Sequence, residues 1–219
     1  MHHSGRTRVV KVWDLPVRLF HWGLVALVAA LWASGEFGKL DIHMQLGAGA
    51  LALVLFRLGW GIAGSRTARF ADFVRGPATI VAHLRGAVPC RVGHNPLGAL
   101  SVVLLLALVL AQAASGLFTS DDIFTEGPLA RFASADTVSL LSTVHRAGFK
   151  LLLAAIGLHL AAIVFYRLVK RENLVTPMIT GVAPAPEGAE GNSGGSPATA
   201  LLLAAASAAL VWGGLAAVG

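Results

Sequence analysis

The stretch VHRAGFKLLLAAIGLHLAAIVFYRL, residues 144–168, decides the fold and carries two histidines inside an apolar run. About 20 apolar residues cross the roughly 30 Å hydrocarbon core of a bilayer, so this run is long enough to span a membrane. Ionisable side chains are costly in that setting and by default indicate function. We therefore predict a membrane-spanning helix in which His145 and His159 are functional residues.

Four further apolar runs accompany this one in the 219-residue chain. They are approximately Leu19 to Ser34, His43 to Ala63, Leu97 to Phe118 and Ala200 to Val218. The composition is 56% hydrophobic and 13% charged, with a mean hydropathy of +0.73, which is more apolar surface than a soluble fold can bury. Backbone amides cannot stay unpaired in lipid, and the alternation of a membrane barrel is absent. The sequence therefore predicts an all-α integral membrane protein.

Most of the 17 Lys and Arg residues fall in three patches that alternate with acidic connections. The patches contain Arg6, Arg8, Lys11 and Arg18; Arg57, Arg66, Arg69, Arg75, Arg85 and Arg91; and Arg167, Lys170 and Arg171. The positive-inside rule predicts a cytoplasmic N-terminus and middle loop, and five spans then place the C-terminus in the periplasm. We interpret the net charge of +6 as basic faces that contact the lipid bilayer, with no nucleic-acid partner.

Four of the eight histidines lie in the apolar runs or at their margins, namely His21, His43, His145 and His159. His145 and His159 are 14 residues apart. At 100° per residue this is about 40° short of four turns, so the two imidazoles share one helical face about 21 Å apart along the axis. In the predicted topology His43 begins the second helix on the outer side and His21 begins the first helix near the inner side. The matching depths predict two pairs, His43 with His145 and His21 with His159.

Paired imidazoles at two depths suit two b-type haems, each with two axial histidines as iron ligands. Two protein ligands leave no open position for oxygen chemistry, so we expect an electron carrier and assign no catalytic residue. The only cysteine, Cys90, belongs to no Cys-x-x-Cys-His sequence, which excludes covalently attached c-type haem.

Other residues near these histidines allow two interpretations. Gly47, Gly148 and Gly157 suit either a flat porphyrin against a helix backbone or close helix packing. Arg146 and Lys150 are placed to bind haem propionates, and the alternative is that they snorkel to lipid phosphate or water.

Two rival hypotheses remain open. His94 precedes Asn95-Pro96 at the start of the third run and is an alternative ligand of the inner haem, although a polar residue there also suits a helix entry. From another functional class, a histidine-lined metal or proton transporter also uses intramembrane histidines. It would require further carboxylates inside the bundle, and the runs contain almost none.

The C-terminal part of the chain differs in composition. Pro184 to Pro197 is rich in Pro, Gly, Ala and Ser and predicts a flexible linker. We accordingly divide the chain into a haem-binding transmembrane domain (1–181), a linker (182–198) and a C-terminal transmembrane helix (199–219). The outer loop Asp121 to Glu126 is either a docking surface for a positively charged partner or a solvated acidic loop.

Four motifs carry a family resemblance. They are VWDLPVRLFHW (12–22), FRLGWG (56–61), GHNPLG (93–98) and RENL (171–174). Together they resemble the bacterial cytochrome b-561 superfamily, and most of all its branch of b-type cytochrome subunits of nickel-iron hydrogenases. The resemblance covers roughly Val9 to Gly181. It implies a four-helix transmembrane bundle with two haems b, whose ligands correspond to His21, His43, His145 and His159.

The resemblance also implies a function. Such proteins lie in the bacterial inner membrane and exchange electrons between a quinone pool and a redox partner such as hydrogenase, formate dehydrogenase or a c-type cytochrome. This chain would be an electron-transfer subunit of an oxidoreductase complex, with quinone and a periplasmic protein as partners. The linker and the fifth run extend beyond the usual core and leave the identity of the partner open.

Overall fold

The computed structural model of the protein describes residues 7–85, 92–121 and 125–218. Several residues that the sequence analysis mentions lie outside this part of the chain, namely Arg6, Cys90, Arg91 and residues 122–124 of the acidic loop.

The described chain is built almost entirely of helices. In chain order the elements are β1 (Thr7–Lys11), α1 (Leu15–Glu36), α2 (Leu40–Ala63), α3 (Phe70–Phe73), α4 (Pro77–Leu84), α5 (Pro96–Gly116), a 3₁₀ turn (Ala130–Phe132), α6 (Ala135–Leu168), α7 (Val175–Thr180), β2 (Val182–Pro186) and α8 (Pro197–Val218). Helices α1, α2, α5, α6 and α8 are each long and apolar enough to cross a membrane. The prediction of an all-α integral membrane protein with five spans is confirmed.

Side-chain caps set the beginnings of three of these helices. Asp14 Oδ1 accepts a hydrogen bond from the Val17 amide at 2.7 Å, and Asn95 Oδ1 accepts one from Gly98 at 2.7 Å. A proline follows each of these caps in the first helical turn, where its missing N–H costs nothing. Ser134 caps α6, which therefore begins before the apolar run and shortens the predicted outer connection.

Helix α2 lies at the centre of the bundle, because α1, α5 and α8 all pack along it. Helix α6 packs along α5, and no comparable backbone packing joins α6 to α1 or α2 in the described chain. Val54, Val109 and Leu152 form the core where α2, α5 and α6 meet. Elsewhere around α6, Leu158, Leu160 and other apolar side chains are exposed, as they are on a helix in lipid.

The two short strands lie at one end of the bundle, together with the start of α1 and the end of α2. We call this the inner end, after the orientation that the charge pattern predicts. Strand β1 pairs antiparallel with β2, from Thr7 opposite Pro186 to Lys11 opposite Val182. Beyond β2, the Asn192 amide donates to Lys11 O at 2.6 Å, and Arg66 forms an ion pair with Glu190.

The segment expected to be a flexible linker is therefore held by strand pairing and hydrogen bonds. Its Pro, Gly and Ser content reflects local preferences, whereas the groups that hold it lie far away in sequence. The proposed division at residues 181 and 198 stays a prediction. Helix α8 leaves the inner end and packs on α2, with Val211 against Ala48 and Ala52.

Candidate functional site

His43 and His145 face each other at the outer end of the bundle. Helix α2 places His43 in its first turn, and α6 supplies His145. The centroids of the two imidazole rings are 6.2 Å apart, and the rings are nearly perpendicular at 83°. This outer pair is one of the two pairs that the spacing predicts.

Backbone carbonyls fix the orientation of both outer rings. His43 Nδ1 lies 2.9 Å from Leu31 O, and His145 Nδ1 lies 3.0 Å from Gln112 O. A carbonyl oxygen only accepts hydrogen bonds, so each Nδ1 must carry the proton. Each Nε2 is then left with its lone pair, which is the form of histidine that binds a metal.

Glycines allow the outer rings to lie close to neighbouring helices. A Cβ at Gly116 would lie 3.0 Å from His145 Cε1, and a Cβ at Gly35 would lie 3.3 Å from His43 Nδ1. By contrast, a Cβ at Gly47 would meet nothing within 4 Å. The face of α2 one turn beyond His43 therefore borders open space.

His21 and His159 occupy the inner half of the bundle. His21 is on α1 and His159 is on α6, and the two residues are close enough for a charge on His159 to affect His21. His159 Nδ1 lies 3.3 Å from Ser101 Oγ, whereas His21 Nδ1 is buried without a hydrogen-bond partner among the described residues. This inner pair is less completely held by protein groups than the outer pair.

Four buried side-chain polar atoms in the described chain have no hydrogen-bond partner, and all belong to inner-end residues. They are Arg18 Nε, His21 Nδ1, Arg57 Nη1 and His94 Nδ1. Burying a polar group without a partner is costly, so such a cluster indicates a missing ligand. Arg57 was grouped with the solvated basic residues in the sequence analysis, but its exposed fraction is only 2% because it lies inside the bundle near Phe70.

Asp14 joins three parts of the chain at the inner end. Its carboxylate caps α1 and accepts hydrogen bonds from Trp60 Nε1 at 3.0 Å and from the Ser65 hydroxyl. Asn192 Nδ2 donates to the same Ser65 hydroxyl at 3.0 Å. The start of α1, the end of α2 and the C-terminal segment are thereby fixed together near His21.

His94, the rival ligand, lies in an aromatic setting. Its ring centroid is 4.5 Å from those of both Trp13 and Phe73. Burial and, to a smaller extent, the nearby positive charge of Arg57 lower the pKa of His94 to about 3. The histidine that interacts electrostatically with His21 is His159, and no interaction of His94 with either is present in the described chain.

The remaining predicted residues fall into two groups. Arg146 and Lys150 are exposed on α6 near the outer end, so their proposed contact with propionates stays a prediction. A Cβ at Gly157 would meet nothing within 4 Å, whereas one at Gly148 would lie 2.6 Å from Gln112 Oε1. Gly157 thus borders open space, and Gly148 provides close packing between α5 and α6.

Sequence reasoning missed the groups that orient the rings. Ser115 is a polar residue within the apolar α5, and its hydroxyl lies 3.3 Å from His145 Nδ1, so its residue type was a usable signal. The carbonyls of Leu31 and Gln112 gave no signal, since every residue carries one. Ser101, which contacts His159, was equally visible as a hydroxyl near the start of α5.

Comparison with known proteins identifies the family. A family model described as prokaryotic cytochrome b561 matches residues 12–181, which include both histidine pairs. No significant match was found among curated proteins or among solved structures. The match covers most of the chain and agrees with its apolar helices. The chain therefore belongs to the prokaryotic cytochrome b561 family, whose members are haem-binding b-type cytochromes that carry electrons in membranes.

Proposed function

We propose that this protein holds two haems b, one between His43 and His145 and one between His21 and His159. It would carry electrons between a quinone pool and a periplasmic redox protein. The observation that carries the proposal is the outer pair, in which two histidines face each other with both Nδ1 atoms directed at carbonyl oxygens.

The separation of the outer rings agrees with a metal ion between them. Two metal–nitrogen bonds of about 2 Å, together with about 1.1 Å from each nitrogen to its ring centroid, give about 6.2 Å between centroids. The observed separation is 6.2 Å. This agreement supports the proposal that His43 and His145 would hold the same iron.

The packing of the helices leaves room for a flat group. Helix α6 packs on α5 and lacks comparable packing on α1 and α2, although its histidines face both. Gly47 and Gly157 border open space on α2 and α6. A porphyrin between α6 and the first two helices would occupy space of this kind.

The side chains define what such a site can do. Bound haem iron supplies reversible one-electron transfer. The protein provides neutral imidazoles with their lone pairs on Nε2, and the carbonyls of Leu31 and Gln112 hold the outer rings in place. If two histidines hold each haem, they would leave no position for a substrate, and the protein would act as the electron-transfer subunit of a larger oxidoreductase.

The charge pattern supports an orientation in the bacterial inner membrane. The basic residues of the N-terminus and middle loop favour the cytoplasmic side. The C-terminus then lies in the periplasm, where hydrogenase, another dehydrogenase or a c-type cytochrome is the proposed partner. Arg146 and Lys150 are at that outer end and are proposed to contact the propionates of the outer haem.

Spectroscopy on purified protein tests the proposal. We would record reduced-minus-oxidised spectra and count haem by pyridine haemochrome for the wild type, His145→Ala and His159→Ala. His83→Ala is the matched control, because His83 lies in the middle loop near Tyr166. We expect two haems b in the wild type and the control, and one in each ligand variant. Folded wild type without haem would contradict the proposal and favour the transporter.

Haem content alone does not test the partners. In proteoliposomes with a quinol in the membrane, we expect reduced haem to appear in the wild type and to be reoxidised by an added periplasmic acceptor. Failure of quinol to reduce protein that contains both haems would reject quinone as the partner and leave the haem assignment intact.

A further inference from the structure

The unpaired polar atoms at the inner end include two arginine nitrogens. Arg57 Nη1 and Arg18 Nε are both buried, and neither has a hydrogen-bond partner in the described chain. A buried guanidinium ordinarily requires a carboxylate or several hydrogen bonds to compensate for the loss of water. Within the described chain these two arginine nitrogens therefore have no acceptor.

Arg57 is located at the depth of the inner histidines. It follows His43 by 14 residues on α2, the same spacing that separates His145 from His159 on α6. Arg57 therefore lies about 21 Å inward from His43 and on nearly the same helical face. Its exposed fraction is 2%, and its guanidinium carbon lies 4.9 Å from the centroid of Phe70.

The carboxylate whose charge acts on Arg57 already accepts hydrogen bonds from other groups. Asp14 interacts with Arg57 electrostatically, but no ion pair within 4.0 Å joins them in the described chain. Asp14 instead accepts hydrogen bonds from Val17, Trp60 and Ser65. Within the described chain Arg57 Nη1 is therefore left without a hydrogen-bond partner, and an anionic group of a bound molecule would supply one.

Arg18 faces the same region from α1. It precedes His21 by three residues, which places both side chains on one face with Arg18 nearer the inner end. Its Nη1 donates to Ile179 O, which holds the side chain and leaves Nε unpaired. Two arginines on two helices thus have buried, unpaired nitrogens at the inner end of the described chain.

We propose that Arg57 and Arg18 bind the propionate carboxylates of the inner haem. This inference rests on the proposed function, because it requires a haem between His21 and His159. Haem b carries two propionates, and two arginines supply the charge and the donors to pair with them. The inner haem is then oriented with its propionates towards the basic end of the bundle.

The test compares Arg57→Met and Arg57→Lys with the wild type in the full-length protein. Arg75→Met is the matched control, since Arg75 is an exposed arginine of the same inner end. We would measure the rate at which each haem transfers to excess apomyoglobin, and the midpoint potential of each haem. The inner haem is identified as the one that His159→Ala removes.

We expect Arg57→Met to release the inner haem several-fold faster and to lower its midpoint potential, because an unpaired propionate stabilises ferric iron. The outer haem should not change, Arg57→Lys should show an intermediate effect, and Arg75→Met should show none. Unchanged release and unchanged potential of the inner haem in Arg57→Met would overturn the proposal.

Loading the protein with haem dimethyl ester, which lacks the two propionate charges, distinguishes a direct contact with Arg57 from a general loss of structure. In the wild type the ester should leave the inner site several-fold faster than haem b, because Arg57 then lacks its carboxylate. If the contact is direct, Arg57→Met should not accelerate the loss of the ester further. Equal acceleration of haem and ester by Arg57→Met would overturn the proposal. Should Arg57→Met fail to fold, Arg57→Lys and the ester in wild type decide in the same way.

The haem count of the wild type distinguishes a failure of the inference about Arg57 from a failure of the proposed function. If wild type binds two haems and His159→Ala loses one, the inner haem exists whatever Arg57 does. If wild type binds no haem, the proposed function fails, and this inference fails with it.

Discussion

The outer and inner histidine pairs use the same residue type on the same long helix but are prepared for a ligand to different degrees. At the outer pair, the carbonyls of Leu31 and Gln112 hold both Nδ1 atoms. At the inner pair, His159 has Ser101 as its partner and His21 has none among the described residues. Backbone carbonyls thus orient both rings of the outer pair, whereas the inner pair has fewer protein partners among the described residues.

This difference suggests that the two sites differ in how much they depend on the haem itself. An oriented ring loses little freedom on binding a metal, so preorganisation contributes to affinity. A site with unpaired buried groups gains more when the ligand arrives, because the groups then find partners. We expect the inner end to be the less ordered part of the protein without haem.

The largest expected effect tests whether the four histidines are paired as we propose. The double variant His43→Ala/His145→Ala should lose one haem, no more than either single variant, because both residues serve one iron. The cross-pair variant His43→Ala/His159→Ala should lose both. Pyridine haemochrome counts would reveal an incorrect pairing if the cross-pair variant kept one haem.

The hydroxyl beside each pair offers a smaller effect. Ser101→Ala removes the described partner of His159 Nδ1, and loss of such a group typically lowers metal affinity by about 10- to 100-fold. Ser34→Ala is the matched change at the outer pair, where His43 keeps its bond to Leu31 O. Haem should transfer to apomyoglobin faster from the inner site of Ser101→Ala. In Ser34→Ala the transfer rates from both sites should be unchanged. An equal effect of both variants would remove the distinction between the sites.

The open space beside the outer pair gives a prediction of several-fold size. Gly47 and Gly213 both lie in helices with nothing within 4 Å of a built Cβ. Alanine stabilises a helix relative to glycine by up to about 1 kcal/mol, so neither substitution should weaken the fold. If a porphyrin lies against α2, Gly47→Ala should lower the occupancy of the outer haem several-fold, and Gly213→Ala should not. Full occupancy in Gly47→Ala would place the porphyrin elsewhere.

The spans and the positions of the histidines along them could be predicted because they depend on spacing along single helices. Apolar length sets a span, and a separation of 14 residues fixes both depth and face. The cap at Asp14 was equally visible, since an acidic residue before Leu15-Pro16 is a local signal. These features require no knowledge of how helices pack.

The features that sequence missed depend on contacts between distant parts of the chain. The burial of Arg57 follows from the packing around α2 and from the ring of Phe70, so its charge alone suggested a solvated residue. The pairing of β1 with β2 joins residues far apart in sequence, and composition gave it no support. The choice of Leu31 O as a partner for His43 depends on the rotation of α1 against α2.

The smallest effect concerns His94, the buried histidine of the inner end that neither pair uses. Burial and the charge of Arg57 lower its pKa from 6.5 to about 3 in the folded protein. The unfolded chain therefore binds a proton below pH 6.5 that the folded chain binds only near pH 3, so stability falls as pH falls through this window. Between pH 6.5 and 5.5 we expect His94 to account for about 1 kcal/mol of lost unfolding free energy. Denaturant titrations in detergent should show this loss in wild type and in His83→Gln but not in His94→Gln, where the side chain cannot titrate. Only the difference between the variants reports on His94. An equal pH dependence in all three proteins would mean that His94 is accessible to protons in the folded state.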